Sequence, residues 1–149
     1  FKQYDNLDAR LIISGKGELA DWITEECNKD KRIKYIGCIP YEEYLQNLSK
    51  ADILVNPRNM NLPENCNNFP SKIMEYLATG KTIISTKFPG WKKFSPYINF
   101  CDSGVIELLS EIRKVNVIKD DIVYDKNRAF AKEFLWENQV IRIENFLKD

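Results

Sequence analysis

The 149-residue chain contains no histidine. That absence removes Ser-His-Asp and Cys-His nucleophile chemistry and histidine-based zinc sites together, so catalysis here has to work through carboxylates, lysines, amides or bound phosphate. Net charge is missing too, because 22 Lys and Arg balance 22 Asp and Glu. No basic excess marks nucleic acid as a partner, and an anion site must be local. No apolar run approaches the roughly 20 residues that span a bilayer, and the first residues carry no apolar signal-peptide segment. Cysteine is sparse: Cys27, Cys38, Cys66 and Cys101 form no C-x-x-C pair and have no histidine to join them around a metal. They read as reduced thiols of a cytosolic protein.

What is present, 44% apolar and 30% charged residues, is the balance of a folded, water-soluble protein, and the length suits a single domain over residues 1–149 with one core. Hydrophobic patterning alternates short strands with helices. Arg10 to Ser14 reads as a strand, Gly15-Lys16-Gly17 as a turn, and Glu18 to Asn28 as a helix with Leu19, Trp22, Ile23 and Cys27 inward. Ile33 to Ile36 is the next strand. After Gly37 to Pro40, Tyr41, Tyr44, Leu45 and Leu48 form the buried face of a second helix. Ile53, Leu54 and Val55 are consecutive apolar residues, the mark of a strand covered on both faces. A long polar loop leads to a helix from Ser71 to Ala78, stopped by Gly80.

A strand over Thr82 to Ser85, the Pro89-Gly90 turn, a strand near Ile98 to Phe100 and helices at Ser103 to Lys114, Lys126 to Leu135 and Glu137 to Leu147 complete the series. The alternation predicts an α/β fold, a doubly wound and mostly parallel Rossmann-like sheet with helices on both faces. Ligands of such sheets bind beyond the carboxyl ends of the strands, where the loops at Gly15, Gly37, Pro57 and Thr86 gather.

The segment from Asn67 to Gly80 carries the most chemistry. Ile73, Met74, Leu77 and Ala78 supply a buried stripe, and Ser71, Lys72, Glu75 and Thr79 a polar one. Pro70 precedes a helix start at which the Ser71 and Lys72 amides point to the positive end of the dipole. Lys72 there costs about 0.3–1 kcal/mol unless an anion offsets it, and a diphosphate would do so. A solvated surface stripe is the plainer alternative; the position after a long loop on a buried strand favours a site. Gly15-Lys16-Gly17-Glu18-Leu19-Ala20 fits the dinucleotide fingerprint, but the acidic ribose ligand about 20 residues on is absent. The glycines then serve as a tight turn beside a ligand.

Four stretches, LIISGKGE from Leu11, IKYIGCIPYEEYLQNLSKADILVNP from Ile33, FPSKIMEYLATGKTIIST from Phe69 and FLWENQVIRIENFL from Phe134, resemble the C-terminal donor-binding domain of family 4 retaining glycosyltransferases of the GT-B type. The resemblance runs nearly end to end. It implies that Glu75 holds the ribose hydroxyls, and that Asn67 stands where the family has its first acidic residue, near the transferred sugar. An amide keeps hydrogen bonding there and loses the charge. It further implies that Ser71 and Lys72 hold the diphosphate, with Phe69 beside them, and that Gly37, Cys38 and Ile39 contact the base. Gly15, Lys16 and Gly17 belong to a neighbouring loop of the donor site.

The implied reaction transfers a sugar from a nucleotide diphosphate to a hydroxyl acceptor with retention, without a metal or other cofactor, Lys72 stabilising the leaving group. The implied partners are a nucleotide-sugar donor and a glycan or lipid-linked acceptor, with cell-surface polysaccharide as the product and the cytoplasmic face of a membrane as a peripheral location. The family's acceptor domain, first strand and basic residues would precede Phe1, and Phe1 to Asp8 resembles the helix that follows them. Two other classes share part of the pattern: a non-catalytic nucleotide-sugar-binding module, to which Asn67 points, and an unrelated α/β nucleotide-binding enzyme such as a dehydrogenase.

Overall fold

The computed structural model describes residues 1–115 and 121–147. In chain order the elements are β1 Leu11–Ile13, α1 Ala20–Lys29, β2 Ile33–Tyr35, α2 Tyr41–Lys50, β3 Ile53–Asn56, α3 Pro63–Cys66, α4 Lys72–Thr79, β4 Thr82–Thr86, a 3-10 turn Trp91–Phe94, β5 Asn99–Cys101, α5 Val105–Lys114, α6 Asp121–Lys132 and α7 Trp136–Phe146. Every strand pairing is parallel. The α/β class and the parallel strands agree with the sequence pattern, and the strands fall into two sheets, β1-β2 and β3-β4-β5. The chain divides into two compact units, Phe1–Asn47 and Leu48–Asp149.

In the first unit, β1 pairs with β2 in the register Leu11 to Ile33 and Ile13 to Tyr35. Leu19 and Trp22, expected inward, are exposed on or beside α1, as is Tyr41 on α2. The reason is that this unit offers little apolar surface to receive them. Ile33 is its one buried hydrophobic residue among those described. Residues 1–8 form turns instead of the helix implied by resemblance. Arg32 explains this: its Nη1 donates to the Tyr4 and Asn6 carbonyls, at 2.6 and 3.1 Å, removing acceptors that a helix would use. Arg32 is held in turn by Asp30, at 2.8 Å. Glu26 on α1, nearly buried, pairs with Lys2 and Lys29.

The second unit has a real core. Ile73 and Leu77 of α4, Ile83 of β4, and Phe88, Phe94, Ile98 and Phe130 pack into one cluster. Its aromatic members meet mostly edge to face, as Phe88 does with Phe94 at 5.5 Å and with Phe100 at 5.4 Å between centroids. Continuous burial belongs to β4, where Ile83 and Ile84 are fully covered, while β3 alternates half-buried and buried residues. β4 is the central strand, with a neighbour on each side. Ala78, assigned to the buried stripe of α4, is exposed, and Tyr76 is half-buried in its place. α6 packs along α4, and burial raises the Tyr76 phenol above its ordinary pKa.

α4 ends where the sequence places its stop. Gly80 is left-handed, with φ 74°, and its N–H returns to the Leu77 carbonyl at 3.0 Å. The polar loop before α4 holds one short element that sequence patterning passes over, α3, which opens on Pro63 with Glu64 in its first turn.

Candidate functional site

The candidate residues lie at the carboxyl ends of the parallel strands, in two groups, one in each unit. In the first unit, the loops after β1 and β2 meet directly: the Gly15 N–H donates to the Gly37 carbonyl at 2.8 Å, and the Tyr35 hydroxyl donates to the Gly15 carbonyl at 2.7 Å. Both glycines need their freedom, with φ of 133° at Gly15 and 64° at Gly37. The space around each is open, so a side chain would be refused by backbone conformation alone. Lys16, Gly17 and Cys38 on these loops are exposed, and Ile39 is half-buried.

In the second unit, α4 opens with an αR cap at Ser71, φ −53° and ψ −34°, whose side chain makes no capping bond. Its first turn is tight: Ile73 N–H donates to the Pro70 carbonyl at 3.0 Å and Met74 N–H to the Ser71 carbonyl at 3.1 Å. Those bonds use the third and fourth amides. The Ser71 and Lys72 amides meet no acceptor among the described residues, and the exposed Lys72 ammonium has no carboxylate within ion-pair distance there. A cation and two free amides therefore share the positive end of the helix, an arrangement suited to an anion. Glu75, one turn on, is half-buried. Thr79, the last residue of the expected stripe, is turned to other use: its hydroxyl donates to the Tyr76 carbonyl at 2.6 Å and accepts from Lys81 N–H at 3.2 Å.

Asn67 caps the end of α3 and is exposed. Phe69 stands half outside the aromatic cluster, its ring 5.3 Å from Phe88 and 5.5 Å from Phe94. It also lines an open apolar groove of about 440 Å³ with Met74, Pro89, Gly90, Lys93, Phe94 and Phe134. Sequence reasoning passed over the polar residues that hold this loop. Asn56 at the end of β3 donates through Nδ2 to Ser85 Oγ at 2.9 Å, and both side chains are buried. The next residue but one, Arg58, donates its N–H to Thr86 Oγ1 at 3.0 Å. The signal available in sequence was a polar residue closing an apolar strand, in Asn56 and again in Ser85-Thr86. Among the described residues no three of His, Cys, Asp and Glu come together as a metal site would require, and no helix is long and apolar enough to cross a membrane.

No curated protein sequence matches the chain. Among solved structures, AviGT4, a glycosyltransferase involved in avilamycin A biosynthesis, superposes with a TM-score of 0.63 over 93% of this chain at 17% identity. At that identity the likeness is one of fold. The chain spans 41% of the length of AviGT4. The family model described as glycosyl transferases group 1 matches residues 1–99, which include both glycine loops, the loop after β3 and the whole of α4. On that match over most of its length, the chain belongs to the glycosyl transferases group 1 family.

Proposed function

We propose that this chain binds the donor of a retaining glycosyltransferase of the GT-B type and family 4: a sugar carried on a nucleoside diphosphate. The observation that carries the reading is the start of α4, where two amides and the Lys72 ammonium, none with a partner among the described residues, lie together after a long loop at the carboxyl edge of a parallel sheet. Ser71 and Lys72 take the diphosphate in this reading, with Phe69 beside it. Glu75 takes the ribose hydroxyls. Asn67 hydrogen-bonds the transferred sugar. Gly37, Cys38 and Ile39 are assigned to the base and Gly15, Lys16 and Gly17 to a neighbouring donor-binding loop, each group to be tested by itself.

In the proposed transfer, the bond from the anomeric carbon to the diphosphate oxygen breaks as the acceptor hydroxyl oxygen bonds to the same carbon on the retained face. The acceptor proton passes to the leaving phosphate, which is why the reaction runs without histidine. Charge develops on the diphosphate as it leaves, and Lys72 with the two amides stabilises it electrostatically, so no divalent ion or other cofactor is invoked. The acceptor is proposed to be a glycan or lipid-linked glycan bound by a second domain, in cell-surface polysaccharide assembly at the cytoplasmic face of a membrane.

Titration with UDP, GDP and their sugar conjugates, by calorimetry or ligand-observed NMR, tests the donor site. One nucleotide should bind, and Lys72→Ala and Glu75→Ala should each weaken it by about tenfold or more. Binding untouched by both substitutions sinks the assignment. The exposed amide of Asn67, where the family's acidic residue stands, favours one further reading, a non-catalytic nucleotide-sugar-binding module. Tight donor binding with neither sugar transfer nor donor hydrolysis would select it.

A further inference from the structure

Arg58 makes three bonds at one place. Its N–H donates to Thr86 Oγ1 at 3.0 Å, its carbonyl accepts from Ser103 Oγ at 3.4 Å, and its guanidinium Nη1 donates to the carbonyl of Asn68 at 2.9 Å, ten residues along the chain. Ser103 Oγ also accepts from the Met60 N–H at 3.1 Å. The first, second and fourth of these bonds fix the start of the loop to the ends of β4 and β5. The third ties the far end of the loop back to its start.

The middle of the loop is held by its own bonds, from Asn65 Nδ2 to the Asn59 carbonyl at 2.8 Å and from Cys66 Sγ to the Met60 carbonyl at 2.9 Å. Asn67 and Asn68 are exposed, so packing does not orient them. No carboxylate lies within ion-pair distance of the Arg58 guanidinium among the described residues. A charged fork spent on a main-chain carbonyl instead of an acid is a positional device: it fixes a backbone, whatever side chain that backbone bears.

We propose that Arg58 is a positioning residue of the donor site, its guanidinium fixing the Asn68 carbonyl and so the direction in which the Asn67 side chain and the Phe69-to-Ser71 backbone face the donor. Arg58 acts through the loop and does not touch the donor. This role rests on the donor-site reading, with which it shares Asn67, Phe69 and Ser71.

The test compares the wild-type chain with Arg58→Ala, Arg58→Lys, Asn68→Ala and Lys72→Ala, by amide NMR without ligand and by calorimetry with UDP, GDP, UDP-glucose and GDP-mannose. Arg58→Ala should shift the free-state amides of Asn68, Phe69, Ser71 and Lys72, leave those of β4 in place, and weaken binding by about tenfold. Asn68→Ala should leave the Ser71 and Lys72 amides and the affinity unchanged, because the acceptor is main chain. Arg58→Lys should recover part of the affinity through a single ammonium donor. Should Arg58→Ala not fold, Arg58→Gln, which keeps a donor without the charge, is read in its place. Unmoved free-state amides overturn the clamp. Affinity lowered by Lys72→Ala but kept in Arg58→Ala overturns the positioning role alone. A wild-type chain that binds none of the four nucleotides overturns the donor-site reading, and this role with it.

Discussion

Gly80 shows how one residue answers two demands. It ends α4 in a left-handed conformation, φ 74°, which costs an L-residue roughly 1–2 kcal/mol. A Cβ there would also lie 2.4 Å from Cδ2 and 2.7 Å from Cγ of Tyr124 on α6. The near end of an aromatic ring cannot swing away as a flexible tip does, so an overpacking cost of about 1–3 kcal/mol adds to the backbone cost. Gly80→Ala should therefore destabilise the protein by about 2–5 kcal/mol in chemical denaturation. Gly80→Asn separates the causes, since asparagine tolerates the left-handed region but carries the same Cβ. Equal losses would assign the effect to Tyr124. A much milder asparagine would assign it to φ. A loss below about 1 kcal/mol in both would contradict the close approach of α4 and α6. The stop itself is legible in sequence, as a glycine after an apolar stripe; Tyr124, 44 positions away, is not, because nothing in local pattern names a distant packing partner.

At the scale of elements, the candidate site divides in the same way. Residues whose position follows from their own helix or turn, such as Ser71 and Lys72 at the start of α4 or the glycines after β1 and β2, could be placed from spacing. Arg58, Thr86 and Ser103 could not, because they act across strand ends between residues remote in sequence. The N-terminal segment repeats the lesson: residues 1–8 are shaped by Arg32 on the far side of α1. Arg32 is oriented by Asp30, whose carboxyl is lowered from 3.8 to about 2, chiefly by the side-chain hydrogen bond from Arg32 and then by the Arg32 N–H. A folded pKa below the unfolded one means the stabilisation is complete above about pH 4 and is lost as pH falls through about 2. Thermal melts of the wild type and Asp30→Asn should differ by a constant amount near neutrality and converge across that acid window. A difference that persists at its acid end would show that Asp30 acts by something other than its charge.

Across the whole molecule, the α/β alternation was legible because period and punctuation agree at nearly every element, while the distribution of the core was not. Leu19, Trp22 and Tyr41 satisfy a helical apolar spacing and are nevertheless exposed. Periodicity says which side chains share a face and leaves open whether anything covers it. The outcome is uneven. In the unit Leu48–Asp149, Ile73 and Leu77 of α4 and Ile83 and Ile84 of the three-stranded sheet have zero exposure, whereas Phe1–Asn47 has a two-stranded sheet with Ile33 as its one buried hydrophobic residue among those described. Local opening is governed by how much apolar contact must be broken, so amides with sparse burial around them exchange through small openings and densely packed ones only through near-global unfolding. Native-state hydrogen exchange should accordingly find the amides of Ile83, Ile84 and Ser85 protected far longer than those of Ile12 and Ile13. β4 has a paired strand on each side and β1 on one only, so Ile13, opposite Tyr35 in the parallel register, is the amide at which burial is compared, while Ile12 exchanges faster also because its N–H faces the unpaired edge. Equal protection of β1 and β4 would mean that the burial of each strand does not set its rate of local opening.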